Sequence, residues 1–466
     1  MNSSYGLKRG ITIVLMVNIL TLVFRLLMNF LMPKYLNVDV YADYKFYQLL
    51  IGYIGILHFG FVDGVYIKFG GKYIQSISED EIGQSLVSLV SMEILVTSIA
   101  IGIGIIIYQP VVILASTAIV ATEVMWLFQY IYQATGEFKK YGVITSFHTI
   151  LLFVIMMILI LFKIQNSYLY MAAYSSAVIV ISIVLGVKAD IKFKKEWICA
   201  KKIVLTCKEN ITIGIFVMIG NFVSQFLTSM DRWFIKILMT SIDFAQYSFA
   251  AGLESFMSFA ITPFSVTLYN YFCRKPSNDE VKKIEEQIYV FAVTIIACAF
   301  PAEWVLEHFL TNYLDARDVM FYLFASKGLN IVVVCIFVNL YKALKLQRTY
   351  SFKMASVIVI GFVTNILLFF FFHTKEVFAI ATLLTTFIWF VICKLEFKQF
   401  ILSFKSESYL MIEIILFIYF GNHCGSVVGF ACYAILTIIL SLVFMKKAML
   451  SFFKMTVSFV NDKFPK

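Results

Sequence analysis

Apolar stretches of roughly 20 residues recur along almost the whole chain, separated by short polar turns. A helix needs about 20 residues to cross the hydrocarbon core of a bilayer. The pattern predicts about fourteen such spans, near 10–32, 44–68, 85–108, 110–134, 142–163, 167–188, 210–232, 244–272, 288–310, 319–341, 352–373, 377–397, 408–421 and 425–446. The last pair is the least regular, because 408–421 is short and Asn422 to Gly425 makes a tight turn. Loops between spans are brief, the longest on the outer face near 301–318, so no extramembrane segment is large enough to fold alone. The expected fold class is all-α and polytopic.

Basic residues orient the series. Of the 38 Lys and Arg, 29 fall at the two ends or in alternate connections, among them Lys68, Lys72, Lys139, Lys140, the run from Lys188 to Lys208, Lys282 and Lys342. The opposite side holds only Lys34, Lys45, Lys163, Arg232, Lys236, Arg317 and Lys375. Positive charge is retained in the cytoplasm during insertion, so both termini are expected on the cytoplasmic side.

The chain also resembles itself at an offset of 203 residues. YADYKF at 41–46 lies over FAQYSF at 244–249; without a gap Phe61, Tyr66 and Phe69 fall on Phe264, Tyr269 and Phe272, and Asn18 falls on Asn221. That shift carries span 1 onto span 7, an even step, so both copies point the same way. Two parallel six-helix lobes are expected, related by an axis along the membrane normal, with a substrate site between them. The expected layout is an N-lobe over 1–190, a basic cytoplasmic linker over 191–209, a C-lobe over 210–400, and a C-terminal helix pair with a cytoplasmic tail over 401–466.

Composition changes the picture only by exclusion. Hydrophobic residues make up 61% of the chain and charged ones 14%, and mean hydropathy is +0.88, outside the soluble range. The net charge of +10 sits in short loops beside spans, where anionic membrane lipids rather than nucleic acid account for it. The first span is too long for a signal-peptide core and lacks a small-residue cleavage site. The eight cysteines include no C-x-x-C pair, so neither a disulfide framework nor a zinc site is supported. Neither a phosphate loop, an H-E-x-x-H metal motif nor a G-x-S-x-G elbow occurs. No cofactor, no metal and no enzyme activity are expected.

Candidate chemistry therefore rests on polar groups inside spans, which are costly in lipid and normally face a cavity or a partner. Asn18, Arg25 and Asn29 fall within about 20° of one meridian of span 1. Asn221, Gln225, Thr228 and Arg232 do the same on span 7, at equivalent positions under the repeat. Two such cationic stripes suit a cavity that accepts an anion. The competing reading is that Arg25 and Arg232 form ion pairs or extend to the interface; Asp231 beside Arg232 favours it there. Lys327 in span 10 is a further cavity candidate. Asp63, Glu123 and Glu254 are candidates for ion coupling or a gate, against interhelical hydrogen bonds or ion pairs to Lys327 or Arg25. Glu93 in span 3 carries the same alternative of an interhelical hydrogen bond or ion pair, Glu413 reads as a packing contact, and His58 and His148 as imidazoles satisfied within the bundle.

Ser229 to Lys236 (SMDRWFIK) followed by Phe244 to Ala250 (FAQYSFA) resembles the span 7–8 signature of Wzx-type polysaccharide repeat-unit flippases, in the superfamily of multidrug and toxic-compound extrusion transporters and lipid II flippases. His58 to Gly64 (HFGFVDG) resembles that family's apolar-Gly-apolar segment before its first cytoplasmic loop, and Gln133 to Gly142 (QATGEFKKYG) is similar to its cytoplasmic turn after span 4. The resemblance covers roughly residues 5–450 in layout, with short motifs. It implies an oligosaccharide on undecaprenyl pyrophosphate, moved from the cytoplasmic to the outer leaflet by alternating access, for O-antigen, capsule or another surface polysaccharide. Arg25 matches a position where related flippases hold the pyrophosphate. A polysaccharide polymerase and a chain-length regulator are the implied partners. Two other classes stay open: an ion-coupled drug antiporter of the same fold, which would have a more acidic cavity, and a membrane glycan polymerase, which would carry a long outer loop.

Overall fold

A computed structural model describes residues 3–188, 194–274, 276–400 and 402–451. The described residues are 88% helix, with no strand among them. Among the described residues twelve helices are long and apolar enough to cross a membrane, thirteen with one bent pair counted as a span. This is a multi-pass membrane protein, as the pattern of apolar stretches predicts. It packs as two compact units, one ending at Ser229 and the other starting at Met230.

The first unit runs through α1 (Ser3–Tyr35), α2 (Val38–Ile51), α3 (Phe61–Phe69), α4 (Glu79–Ile106), α5 (Pro110–Thr117), α6 (Ile119–Ala134), α7 (Phe138–Leu161), α8 (Ser167–Lys188) and α9 (Ala200–Leu227). Local chemistry sets several of these ends. The Ser78 side chain accepts the Glu81 amide at the start of α4, ahead of Glu79, Asp80 and Glu81, where carboxylates favour the helix dipole. Pro110 opens α5, at a position where its missing N–H costs nothing. Two buried clusters hold the unit together: Phe61, Val65, Phe69, Leu89, Leu127 and Ile131, and Val124, Met125, Phe128, Val178 and Ile181.

Span 2 is not one straight helix. α2 and α3 meet at 55° across a stretch carrying Gly52, Gly55 and Gly60, with Phe59 and Gly60 at positive φ (51° and 88°). Its equivalent under the repeat is a single helix of 32 residues, where Ser255, Ser258 and Pro263 replace the three glycines. The bend brings α3 against α9 at backbone distance. A Cβ on Gly64 would overlap the Asn210 backbone, and one on Gly214 would overlap Gly60 and Gly64.

The stretch 210–232, expected as one span, is divided. α9 ends at Leu227 and turns at Thr228 and Ser229. α9 packs on α3 and α4 inside the first unit. The linker also belongs there: the Trp197 ring lies over Gly83, Gln84 donates to the Trp197 carbonyl at 3.3 Å, and Lys194 pairs with Asp80 at 2.6 Å. Residues 189–190, residues 191–193 of that linker and the tail beyond 451 lie outside the described residues.

The second unit continues with α10 (Met230–Leu238), α11 (Ser241–Phe272), α12 (Asn278–Ile296), α13 (Ala299–Phe309), α14 (Arg317–Val332), α15 (Asn339–Ala343), α16 (Gln347–Phe372), α17 (Glu376–Glu396), α18 (Phe404–His423) and α19 (Ser426–Phe444). Reciprocal capping boxes, Thr240 with Asp243 and Ser277 with Glu280, start α11 and α12. α14 is central, touching α11, α12, α17 and α18, and continues into α15 through one π-helical turn, Val333–Val338. Helix α18, the thirteenth of the expected spans, is 20 residues long but carries Lys405, Glu407 and Glu413.

The C-terminal helix pair is knit into this unit. Phe300, Phe321, Phe417 and Tyr433 stack with centroids 5.1–5.7 Å apart. The Lys394 ammonium lies 2.5 Å from both Glu285 and Glu407, joining α17 to α12 and α18.

Candidate functional site

The polar side chains singled out in the spans fall into three groups, two in the first unit and one in the second.

The first surrounds Arg25 on α1. Arg25 is exposed and lies in the electrostatic reach of Tyr44, His148 and Tyr174, from α2, α7 and α8. Those groups pack on one another: Tyr174 meets His148 and Tyr47 edge-on with centroids 5.7 Å apart, and the Tyr47 and Ser175 hydroxyls are 2.9 Å apart. Asn18 is exposed like Arg25, whereas Asn29 is buried and accepts the Lys45 ammonium at 3.1 Å. The stripe read from span 1 thus divides into an exposed part, Asn18 and Arg25, and a packed end at Asn29. The second cation, Lys45, was visible in the sequence only as an outer residue.

The second group is acidic. Asp63 stands in the first turn of α3, Glu93 on α4 and Glu123 on α6, and all three are buried. Glu123 interacts electrostatically with both of the others. Asp63 accepts a long contact of 3.5 Å from Asn221 and lies 3.8 Å from His58 Nε2, whose Nδ1 accepts the Gly60 amide. Neither carboxyl oxygen of Glu93 or of Glu123 has a hydrogen-bond partner. The interhelical hydrogen bond or ion pair open to Glu93 is not formed. The ion pair to Lys327 or Arg25 weighed for Glu123 is not formed either. Asp63 at a helix start also has a structural role there, since a carboxylate favours that end of the dipole.

The third group lies in the second unit. Asp231 accepts the Tyr247 hydroxyl at 2.6 Å and the Arg232 amide at 2.8 Å. Glu254 on α11 pairs with Lys327 on α14 at 2.8 Å, both side chains mostly buried. The interhelical ion pair weighed against a coupling role for Glu254 is therefore present. Glu413 accepts Thr437 at 2.8 Å, a packing contact as expected.

The break at Thr228 and Ser229 separates the stripe expected on span 7. Asn221 and Gln225 stay with the first unit, Gln225 lying over Gly52 and its carbonyl accepting Ser229. Arg232 stands on α10, which packs on α11, α16 and α17. Among the described residues no three His, Cys, Asp or Glu side chains are grouped closely enough to hold a metal ion.

No protein-family model and no curated protein matches the chain. Among solved structures it is similar to the lipid II flippase MurJ in an inward closed conformation, with a TM-score of 0.61 and 15% identity over 94% of this chain and 99% of that one. A weaker likeness is to MATE in complex with MaD5, TM-score 0.45 and 14% identity over 84% and 96% of the two chains. From α1 to the C-terminal pair, this chain has the fold of MurJ.

Proposed function

We propose that this protein is a flippase that carries an oligosaccharide repeat unit on undecaprenyl pyrophosphate from the cytoplasmic to the outer leaflet of a bacterial plasma membrane. The observation that carries the reading is the likeness to MurJ, a lipid II flippase, over nearly the whole of both chains. It agrees with the short Wzx-type motifs in the sequence and with an exposed Arg25 inside the first unit. A guanidinium presents five donors in a planar fork that suits a pyrophosphate. Asn18, Asn221, Gln225, Arg232 and Lys327 are the further residues assigned to substrate, and alternating access is the assigned mechanism. A polymerase and a chain-length regulator would act on the delivered unit.

Deleting the protein should stop display of one surface glycan while its repeat unit is still assembled. That unit should accumulate on its carrier at the cytoplasmic leaflet and trap a lipid shared with cell-wall synthesis. Blocking the first sugar transfer should then relieve the toxicity. Extracted lipid-linked sugars, tested for accessibility to an external glycosidase in intact cells, separate the readings. A polymerase mutant would export single units, and an antiporter mutant would keep its glycan and change its drug tolerance. Accumulated units already exposed outside would overturn the flippase.

A further inference from the structure

The acidic group of the first unit lacks a cation. Among the described residues no Lys or Arg pairs with Asp63, Glu93 or Glu123; Lys68, further along α3, pairs with Glu209 instead, at 2.8 Å. The other titratable groups facing them are His58 before α3, Tyr66 on α3, Tyr130 on α6 with Tyr141 of α7 in its reach, and Cys207 on α9 near Glu93. None supplies a permanent positive charge. Taking an isolated carboxylate out of water is so costly that the group neutralises instead, and neighbouring carboxylates cannot all stay ionised.

A second observation comes from α9. Asn210 is fully buried, and neither atom of its side-chain amide has a partner. One turn before it, the Cys207 thiol reaches the Ser88 carbonyl of α4 at 3.8 Å; one turn after it, Gly214 lies against the Asp63 backbone. Asn210 therefore stands on the face of α9 turned to α3 and α4, where Asp63 and Glu93 reside. Its amide offers both a donor and an acceptor, so it can serve a carboxylate or a carboxylic acid.

We propose that Asp63, Glu93 and Glu123, with the Asn210 amide, form a proton-binding site within the first unit. The carboxyls lie in each other's field but are not grouped to hold a metal ion, so exchangeable protons are the ligand that the spacing fits. Loading the site discharges the interior beside the tight α3–α9 crossing. Its use as the coupling site rests on the transport reading above; its existence does not.

The test uses the full chain in lipid nanodiscs and needs no substrate. Infrared difference spectra between acidic and alkaline buffer should show protonated carboxylic acid persisting at neutral pH. Glu93→Gln and Glu123→Gln should each remove one carboxyl's share of that band, and Asn210→Ala should shift its frequency. Gln keeps the shape of the neutral acid, so both variants should stay folded and monodisperse. If one fails to fold, the other and Asp63→Asn decide. A wild-type spectrum without protonated acid at neutral pH overturns the proposal. So does a band that none of the variants alters, or one that sodium removes at constant pH. Flipping is not measured, so failure here leaves the flippase reading standing, and failure of that reading leaves the spectrum unchanged.

Discussion

Lys394→Met isolates the buried charge that ties the C-terminal pair to the second unit. The ammonium is 2.5 Å from Glu285 and 2.5 Å from Glu407, and the Tyr289 hydroxyl reaches the same two carboxylates at 3.2 and 2.9 Å. Three rings, Tyr289, Phe337 and Phe390, surround it with centroids 5.5–5.6 Å away. Met fills nearly the same volume against those rings, so packing is largely kept and the charge alone is removed. Glu285 is fully buried and would be left facing Glu407 with no cation. Removing one partner of a buried pair costs about 3–5 kcal/mol, because the other charge stays behind. Lost cation–π attraction adds on the order of 1 kcal/mol. The triple change Lys394→Met, Glu285→Leu, Glu407→Gln should recover most of that loss, since replacing a whole buried ion group is often close to neutral. Equilibrium unfolding in mixed micelles of rising SDS fraction measures both. A single variant within about 0.5 kcal/mol of wild type, the range of ordinary surface changes, would refute the argument. So would a triple variant as unstable as the single one.

Gly64→Ala should destabilise by about 1–3 kcal/mol or more, because its Cβ would overlap the Asn210 backbone. Gly102→Ala, with nothing within 4 Å, should gain about 0.5–1 kcal/mol from helix propensity; the same unfolding assay ranks them, and equal effects would refute the close crossing. Arg25→Ala should abolish glycan export in a well-expressed protein while Arg25→Lys keeps part of it, read by surface glycan staining; wild-type export by Arg25→Ala would remove Arg25 from the site. In a background cleared of its eight cysteines, single cysteines at Lys201 and Lys282 should resist an impermeant thiol reagent in intact cells, and one at Asp315 should react. Labelling at Lys201 from outside would reverse the topology.

Hydropathy alone determined the helices, their approximate number and the membrane class, because a bilayer-length apolar run has only one way to satisfy its backbone in lipid. The distribution of Lys and Arg set the expected orientation for a similar reason: each charge acts on its own adjacent span. Neither signal senses direction changes within a run. The 55° bend between α2 and α3 and the division of 210–232 at Ser229 are set by three glycines and by which helices receive α9 and α10. Only tertiary structure decided the fates of the intramembrane charges. Glu254 and Glu123 look alike in sequence, each one carboxylate in an apolar helix. Packing gives Glu254 a partner in Lys327, 73 positions along the chain, at 2.8 Å, and leaves Glu123 among other acids. An apolar helix records that a carboxyl is present; which side chain meets it depends on the rotation and register of a helix far away in the chain.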